Sequence, residues 1–360
     1  MKILIDINHP AHVHYFKNLI KIMEKEGHEF IITNRDQKII NDLLDAYSIK
    51  HIIRNKRPVK TNLFTSLKYI IHSILIIFKA IKITEIDIFL GFASFPCSLL
   101  SFIYSKPSII IDDTEHNKVN HFFYKHLCSV ILTPFYFAKN MGKKQIYFKA
   151  YVEQLYLNSK YFNTKVKSLF QTHLGSDPYL IIRFITFSAS HDIGVKNRLT
   201  LEEKKEIIRN LSQNINVYVS LENETNDDFF KQFLITDKPE NMHHLIANAN
   251  LLITEGATMA SEAGLLGVNY YYINPLKVGY INEQCSKYPH AHQCNGHQLL
   301  NNLRNLKYTK IRSNETLIKI ENETINPTEY LVWFVKNYPL SKNLSIGKMI
   351  DKKFIEKFVN

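Results

Sequence analysis

Short apolar segments alternate with amphipathic stretches along the first half of this 360-residue chain. The amphipathic stretches repeat apolar positions at helical spacing, and Gly27 stands where a helix would be capped. Strands are predicted at residues 2–7, 28–33, 86–91 and 108–112, and helices at residues 12–26, 37–47 and 63–83. Because the strands are short and largely apolar, they are typical of a parallel sheet buried on both faces.

The same alternation starts again after a polar stretch at residues 156–172. Strands are predicted at residues 179–187, 215–220 and 251–254, and helices at residues 200–213, 240–249 and 258–266. The pattern therefore predicts an α/β fold of two Rossmann-like domains that face each other across a cleft, at residues 1–165 and 175–325. Residues 326–360 begin with a helix-start sequence, Asn326-Pro327, and are expected to form a helical segment that packs at the domain interface.

Composition narrows the candidate partners. The formal charge of +12 favours an anionic partner, and nucleic acid, anionic lipid and phosphorylated substrates all fit it. The basic residues are not interleaved with an aromatic stacking platform, so nucleic acid is not expected. The amino-terminal sequence lacks the long apolar run of a secretory signal, which predicts a cytoplasmic protein.

Ligands of open parallel α/β sheets bind beyond the carboxyl ends of the strands, so the loops there are the first candidates for chemistry. The first such loop contains His9, His12 and His14. A helix amino terminus favours neutral histidine and a nearby anion, so we expect His12 to act as the general base and the other two to contact substrate. A surface or capping role is the structural alternative for His14, and no metal is expected.

The second loop places three acids and a histidine after the strand at residues 108–112. Glu115 and His116 are predicted to orient a sugar, although Asp113 and Thr114 would equally suit a helix cap. The third loop, after residues 179–187, offers Ser188, Ser190 and His191 as contacts to a phosphate.

The fourth loop carries the strongest signal, because a small-residue turn joins a strand to a helix. Gly256, Ala257 and Thr258 would leave the helix amino terminus open to a diphosphate, and Glu262 one turn later would accept hydrogen bonds from ribose hydroxyls. The alternative is that Gly256, Ala257 and Gly264 simply allow close packing of the helix against the sheet.

The helix at residues 63–83 combines apolar residues on most of its faces with lysines such as Lys68 and Lys79. This composition suits a helix buried in its domain, or one that lies on an anionic membrane with its amines directed toward the headgroups. Peripheral contact with the inner face of the cell membrane is therefore one expectation for this segment.

Several of these segments together resemble the family called domain of unknown function 354, a family of predicted glycosyltransferases. The resemblance spans nearly the whole chain and rests on these motifs, in order: His9-Pro10-Ala11-His12-Val13-His14, Asp112-Asp113-Thr114-Glu115-His116, Ser188-Ala189-Ser190-His191-Asp192-Ile193-Gly194, Ala257-Thr258-Met259-Ala260-Ser261-Glu262-Ala263 and Asn326-Pro327-Thr328-Glu329-Tyr330. That family is similar to the UDP-N-acetylglucosamine 2-epimerases and to the peptidoglycan N-acetylglucosaminyltransferase, which implies the glycosyltransferase-B (GT-B) architecture.

The resemblance also implies chemistry. In those relatives a small-residue turn and a later Glu hold the diphosphate and ribose, which here corresponds to Gly256, Ala257, Thr258 and Glu262. The transferase's first loop with its histidine is similar to Ala11-His12-Val13, although its glycines are missing here, as is the Arg-Pro-Glu first loop of the epimerases.

We therefore expect a transferase that needs no cofactor or metal and moves a sugar from a nucleotide-sugar donor to a glycan or lipid-linked acceptor in surface polysaccharide biosynthesis. A nucleotide-sugar 2-epimerase is the first alternative. A non-catalytic protein that binds nucleotide sugars or nucleic acid is the second.

Overall fold

The computed structural model describes residues 1–56, 63–80, 83–115, 117–175, 177–185, 198–222, 225–306, 308 and 314–359. The chain forms two compact units, each with its own parallel sheet. Unit 1 comprises Met1–Tyr161 and Glu323–Asn360, and unit 2 comprises Phe162–Asn322. The predicted α/β class with two parallel sheets is confirmed.

The amino-terminal part of unit 1 alternates strands and helices. Its elements are β1 (Lys2–Ile7), α1 (Pro10–Lys25), β2 (Glu29–Asn34), α2 (Lys38–Ala46), β3 (His51–Ile53), α3 (Leu63–Ala80), β4 (Ile88–Phe92), α4 (Phe95–Ile103), β5 (Ser108–Ile111), α5 (Lys118–Leu127), β6 (Val130–Pro134), β7 (Gln145–Phe148) and α6 (Gln154–Leu157). Gly27 follows α1 with φ of 84°, a left-handed conformation that glycine adopts without strain, as its predicted capping position requires.

Unit 2 repeats this alternation on a smaller sheet. Its elements are α7 (Leu169–Leu174), β8 (Tyr179–Phe184), α8 (Leu201–Ser212), β9 (Asn216–Leu221), α9 (Asp228–Lys231), α10 (Met242–Asn248), β10 (Leu251–Thr254), α11 (Ala257–Leu265), β11 (Tyr270–Tyr272), α12 (Gly279–Lys287), β12 (Ala291–Gln293), α13 (Gly296–Asn302) and α14 (Asn314–Glu323), the last residue of which belongs to unit 1. The described strands lie in the order β12-β11-β10-β8-β9, all parallel. Their apolar side chains form a core with α8, which includes Ile182, Ile207 and Ile253.

The carboxyl-terminal segment returns to unit 1. It consists of α15 (Pro327–Lys336), α16 (Leu340–Ser345), β13 (Met349–Ile350) and α17 (Lys352–Phe358). The side chain of Asn326 caps α15, and Pro327 occupies its first turn, as the helix-start sequence predicts. β13 pairs in parallel with β7 at the edge of the first sheet. The expected position of this segment at a domain interface stays a prediction.

Strand order fixes the two faces of unit 1. Across the described residues the sheet runs β13-β7-β6-β5-β4-β1-β2-β3, so the chain moves outward from β1 to β3 and then crosses back to β4. Right-handed crossovers place α1 and α2 on one face and α3, α4 and α5 on the other. One core cluster contains Ile77 of α3, Leu100 of α4 and Tyr124 of α5, in agreement with this arrangement.

Candidate functional site

The amino terminus of α11 lies at the carboxyl end of β10, in the middle of the second sheet. Gly256 is its N-cap residue, and no described side chain caps the helix. By contrast, three other helices of unit 2 begin with complete capping boxes, centred on Ser168, Thr200 and Asn295. Residues 256–259 are half-buried, and no described side chain bonds to the first backbone N–H groups of α11, which are the groups that bind anions at helix amino termini.

Glu262 lies one turn into α11 and is buried. Its Oε1 lies 3.0 Å from Nε2 of His243 on α10, which is also buried. Burial lowers the pKa of Arg183, at the carboxyl end of β8, against the opposing charges of Glu222 and of Glu262. The sequence pattern indicates Glu262 but neither of these partners, which lie far from it in the chain.

The two glycines of this turn and helix have different environments. A Cβ atom on Gly264 would lie 2.1 Å from Oε1 of Gln284 on α12, so this glycine is required for helix packing. A Cβ atom on Gly256 would meet only Thr254 Oγ1 at 3.5 Å and Ile185 Cγ2 at 3.7 Å, which are ordinary contacts. The packing explanation therefore holds for Gly264, whereas nothing described near Gly256 requires a glycine.

A buried ion pair supports the same turn. The Nζ atom of Lys204 on α8 donates to Oε2 of Glu255 at 2.9 Å, and the backbone N–H of Ile185 donates to the same oxygen at 2.8 Å. Burial raises the pKa of Glu255, against the opposing effect of Lys204. This pair ties α8 to the residue that precedes Gly256, and no sequence signal indicated it.

In unit 1, the histidine loop follows β1. His9 is the N-cap of α1, and its Nδ1 accepts from the N–H of Ala11 at 3.2 Å. His12 is buried against Phe92, with ring centroids 4.8 Å apart. Burial, followed by the nearby His9 and Arg35, lowers the pKa of His12 well below its ordinary value. His12 is therefore neutral at physiological pH.

The hydrogen bond of His12 assigns its tautomer. Its Nδ1 accepts from the backbone N–H of Asn8 at 3.4 Å, which leaves the ring proton on Nε2. In this form Nε2 donates a hydrogen bond. To accept a proton at Nε2, His12 must move its own proton to Nδ1 and give up the long bond from Asn8.

His14 faces another environment. It is buried, its Nδ1 lies 3.3 Å from the hydroxyl of Tyr47, and its ring lies 5.3 Å from that of Tyr156. A surface or capping role, the structural alternative for His14, is therefore wrong because the side chain is buried against Tyr47, which follows α2, and Tyr156 of α6.

A buried charge pair holds the strand ends together beside this loop. Asp6 and Arg54 have fully buried side chains, and Arg54 Nη2 lies 2.9 Å from Asp6 Oδ1. The carboxylate of Asp6 also accepts from Thr33 at 2.8 Å, from Asn8 at 2.7 Å and from Ser94 at 3.2 Å. These partners lie at or just beyond the carboxyl ends of β1, β2, β3 and β4, so one carboxylate links the ends of four strands.

The acidic loop after β5 carries a second cluster. Asp112 accepts from the hydroxyl of Tyr124, and its Oδ2 lies 2.9 Å from Nε2 of buried His121. Burial, followed by the charge of Asp112, raises the pKa of neighbouring Asp113 to about 7. The sequence pattern does not predict a catalytic role for Asp113, although an acid that titrates near neutral pH is suited to proton transfer.

The helix-cap alternative for this loop is wrong. α5 begins at Lys118 and is capped by the side chain of Asn117, whereas Asp113 accepts from the hydroxyl of Thr114 at 2.9 Å. Glu115, a predicted sugar ligand, accepts from the backbone N–H of Ala138 at 2.6 Å. His116 lies outside the described residues, and so do Ser188, Ser190 and His191 of the third loop.

The described ranges contain neither a cluster of metal-binding side chains nor a helix that could span a membrane. There, no three His, Cys, Asp or Glu side chains converge into a group that could hold a metal ion. In the same part of the chain, no helix is both long enough and apolar enough to cross a bilayer.

Known structures share this architecture across nearly the whole chain. The UDP-GlcNAc 2-epimerase of Neisseria meningitidis, solved with UDP-GlcNAc bound, is 15% identical with a TM-score of 0.62, covering 94% of this chain and 100% of that one. MurG of Acinetobacter baumannii is 13% identical with a TM-score of 0.53, covering 93% and 99%. The chain therefore has the GT-B fold, the fold of these nucleotide-sugar enzymes.

Sequence comparison identifies the family. The model of the family described as "Protein of unknown function (DUF354)" matches residues 1–324, and the chain belongs to that family. The uncharacterized protein MJ0665 of Methanocaldococcus jannaschii is 24% identical over 282 residues, which cover 74% of this chain and 80% of that protein. The resemblance to this family is confirmed.

Proposed function

We propose that this protein is a glycosyltransferase that moves a sugar from a nucleoside-diphosphate donor to a glycan or lipid-linked acceptor during surface polysaccharide assembly in the cytoplasm. The observation that carries the proposal is the uncapped amino terminus of α11 at the carboxyl end of β10, in a fold shared with enzymes solved with UDP-GlcNAc or UDP. The donor would bind unit 2 with its diphosphate at this helix terminus.

The donor site would act on the leaving group. The bond between the anomeric carbon and the diphosphate oxygen breaks, and the diphosphate departs with the electron pair. The N–H groups at the start of α11 would stabilise the charge that develops there, without a divalent cation at that position. Glu262, oriented by His243, would accept hydrogen bonds from the ribose.

The acceptor oxygen forms the new bond to the anomeric carbon, and its proton must go to a base. His12 is our proposed base, as the sequence suggests, and Asp113 is a second group at the same edge of unit 1 with suitable chemistry. The pKa of His12 is lowered and the pKa of Asp113 is raised, so the pH dependence of turnover distinguishes the two candidate bases. His12 stays unprotonated well below pH 6.5, whereas Asp113 loses its proton near pH 7.

The first test is donor binding. A panel of UDP-, GDP-, CMP- and dTDP-sugars is screened by thermal shift against the wild type and Glu262→Gln, which keeps an acceptor for His243. Glu206→Gln, an exposed position on α8, is the matched control. A rise in melting temperature with one nucleotide class that Glu262→Gln reduces and Glu206→Gln retains supports the site. No rise with any donor would overturn it.

The second test separates chemistry from binding. Turnover with the donor found by thermal shift is measured against pH for the wild type, His12→Gln and Asp113→Asn. The control is His28→Gln, because His28 precedes β2 and lies at the amino ends of the strands, away from the loops that carry His12 and Asp113. A rate that stays high below pH 6.5 and is lost in His12→Gln supports His12. A rate that is half-maximal near pH 7 and lost in Asp113→Asn replaces it with Asp113. Donor binding without turnover under every condition would favour a binding protein.

A second candidate function is a nucleotide-sugar 2-epimerase. It is favoured by the greater structural similarity to epimerases, with a TM-score of 0.62 for the Neisseria meningitidis enzyme against 0.53 for MurG. Incubation with donor and no acceptor distinguishes the two. An altered sugar that is still attached to its nucleotide indicates an epimerase, whereas an unchanged donor that is consumed only when acceptor is added indicates a transferase.

A further inference from the structure

Three neighbouring helices of unit 1 expose large apolar side chains. We define the apolar face of α3–α5 by Ile71, Leu75, Phe78, Phe102, Ile103 and Phe122. Each is about half exposed or more, and Phe122 reaches 65%. Contiguous apolar surface of this kind is uncommon on soluble proteins and marks a site of interaction.

Helical spacing and ring contacts make this surface continuous. Ile71, Leu75 and Phe78 follow one another at spacings of four and three residues, so they form one stripe along α3. The ring of Phe78 lies 6.4 Å from that of Tyr104, which follows α4. On the other side, Phe95 of α4 lies 5.4 Å from Phe123 of α5. The exposed rings thus extend across all three helices.

The sequences of these three helices carry charge of one sign. The sequences of α3, α4 and α5 contain no Asp or Glu, whereas they carry Lys68, Lys79, Lys118 and Lys125, and Lys106 follows α4. Lys68 is exposed, and Lys106 and Lys125 are half-buried. The helices of the opposite face, by contrast, contain acids such as Glu24 and Asp42. Among the described residues of these three helices, the acidic and basic side chains are therefore all basic.

We propose that the apolar face of α3–α5 docks on an anionic lipid bilayer, with its aromatic and aliphatic side chains inserted at the headgroup level and its lysines on the lipid phosphates. Apolar insertion and lysine attraction act together in such binding, and each nearby lysine strengthens partition about fivefold. A second copy of this chain fits the face less well, because a symmetric interface would bring the same lysines together. This inference does not depend on the proposed sugar chemistry.

The test is flotation of the full-length protein with vesicles of phosphatidylcholine alone or mixed with phosphatidylglycerol. We expect the wild type to float with the anionic vesicles and to be released as salt rises from about 0.1 M to about 1 M, which shortens the screening length from about 10 Å to about 3 Å. Lys68→Gln should weaken partition about fivefold. Absence of binding to the anionic vesicles would overturn the proposal.

Variants assign the binding to this face. Phe102→Ser with Phe122→Ser removes two rings that are 61% and 65% exposed, so their loss should leave the fold intact and weaken partition by at least tenfold. For a matched pair, Ile103 and Leu340 are both 58% exposed, and only Ile103→Ser should reduce flotation. Equal effects of Ile103→Ser and Leu340→Ser would contradict the proposal. The proposal would also be contradicted if the wild type bound no lipid but formed a dimer, and if the phenylalanine variants were monomers.

Discussion

Substitution of two glycines by alanine separates the ligand site from the helix packing around it. Gly256 and Gly264 lie eight positions apart, at the N-cap and in the last turn of α11. At Gly264 an added Cβ atom would lie 2.1 Å from Gln284 Oε1 and 3.0 Å from Tyr270 Cε1, whereas at Gly256 the nearest atom is 3.5 Å away. Among the described residues, the space beside Gly264 is filled, whereas the space beside Gly256 would admit a methyl group.

The expected magnitudes follow from the contacts. The Gln284 amide donates to Ser261 Oγ at 2.9 Å and accepts from the Tyr270 hydroxyl at 3.1 Å. Alanine at position 264 displaces this amide, and two lost buried hydrogen bonds cost about 2 kcal/mol or more. The higher helix propensity of alanine returns about 0.5–1 kcal/mol. Gly264→Ala should therefore destabilise the protein by about 1–2 kcal/mol, and Gly256→Ala by less than about 0.5 kcal/mol.

Binding should show the reverse order. A methyl group at Gly256 stands where a diphosphate would approach the first N–H groups of α11, so Gly256→Ala should weaken donor affinity about tenfold. The folded fraction of Gly264→Ala should bind like the wild type, because its methyl group points toward α12. Urea denaturation gives the free energies of unfolding, and isothermal titration with the donor found by thermal shift gives the affinities.

Two results would refute this reasoning separately. Unchanged donor affinity in Gly256→Ala would mean that the phosphates do not lie at the amino terminus of α11. Unchanged stability in Gly264→Ala would mean that the Gln284 amide can leave its contacts without loss, and the packing explanation for this glycine would fail.

Three further predictions concern buried charge. Arg54→Met should destabilise the protein by about 3–5 kcal/mol because it leaves Asp6 buried without its cation, and adding Asp6→Asn should recover much of the loss in urea denaturation. Because the pKa of Asp113 is raised from 3.8 to about 7, the folded state holds its proton more tightly, so the free energy of unfolding falls as pH rises across that window. Asp113→Asn should lack this fall, and equal pH profiles of the two proteins in urea would contradict it. Lys204→Met should destabilise more at pH 7.5 than at pH 5, because Glu255 then remains as an unpaired buried carboxylate that only protonation relieves.

The elements that could be predicted from the sequence are those whose structure is determined by residues close together in the chain. β10 was predicted with the bounds it has, and the capping box of Thr200 and Glu203 forms both of its hydrogen bonds. The three-residue strands β3, β11 and β12 were not predicted, because so short a segment carries no periodicity and acquires its extended form from the neighbouring strand. β7 was missed as well, since Gln145 opens it with a polar side chain that bonds to Thr133.

In the candidate sites too, features made by consecutive residues could be predicted from the sequence, whereas contacts between distant residues could not. The turn at Gly256 could be located from sequence because its chemistry depends on consecutive residues, whereas the partners of Glu262 and Glu255 come from other helices. The raised pKa of Asp113 likewise depends on its burial next to Asp112. Identical acids in an exposed loop would titrate normally, so the sequence alone could not distinguish the two cases.

In the histidine loop, residues distant in the chain are linked to the predicted site residue His12 by a series of hydrogen bonds. Arg54 Nη2 donates to the side-chain oxygen of Asn8 at 2.6 Å, the amide of Asn8 donates to Asp6, and its backbone N–H donates to His12. The tautomer of His12 therefore depends on a residue 42 positions away in the chain. Because Asp6 and Arg54 are fully buried, this chain of bonds is shielded from water and holds Asn8 in one orientation. Loss of Arg54 should thus change the pH dependence of His12 as well as the stability of the sheet.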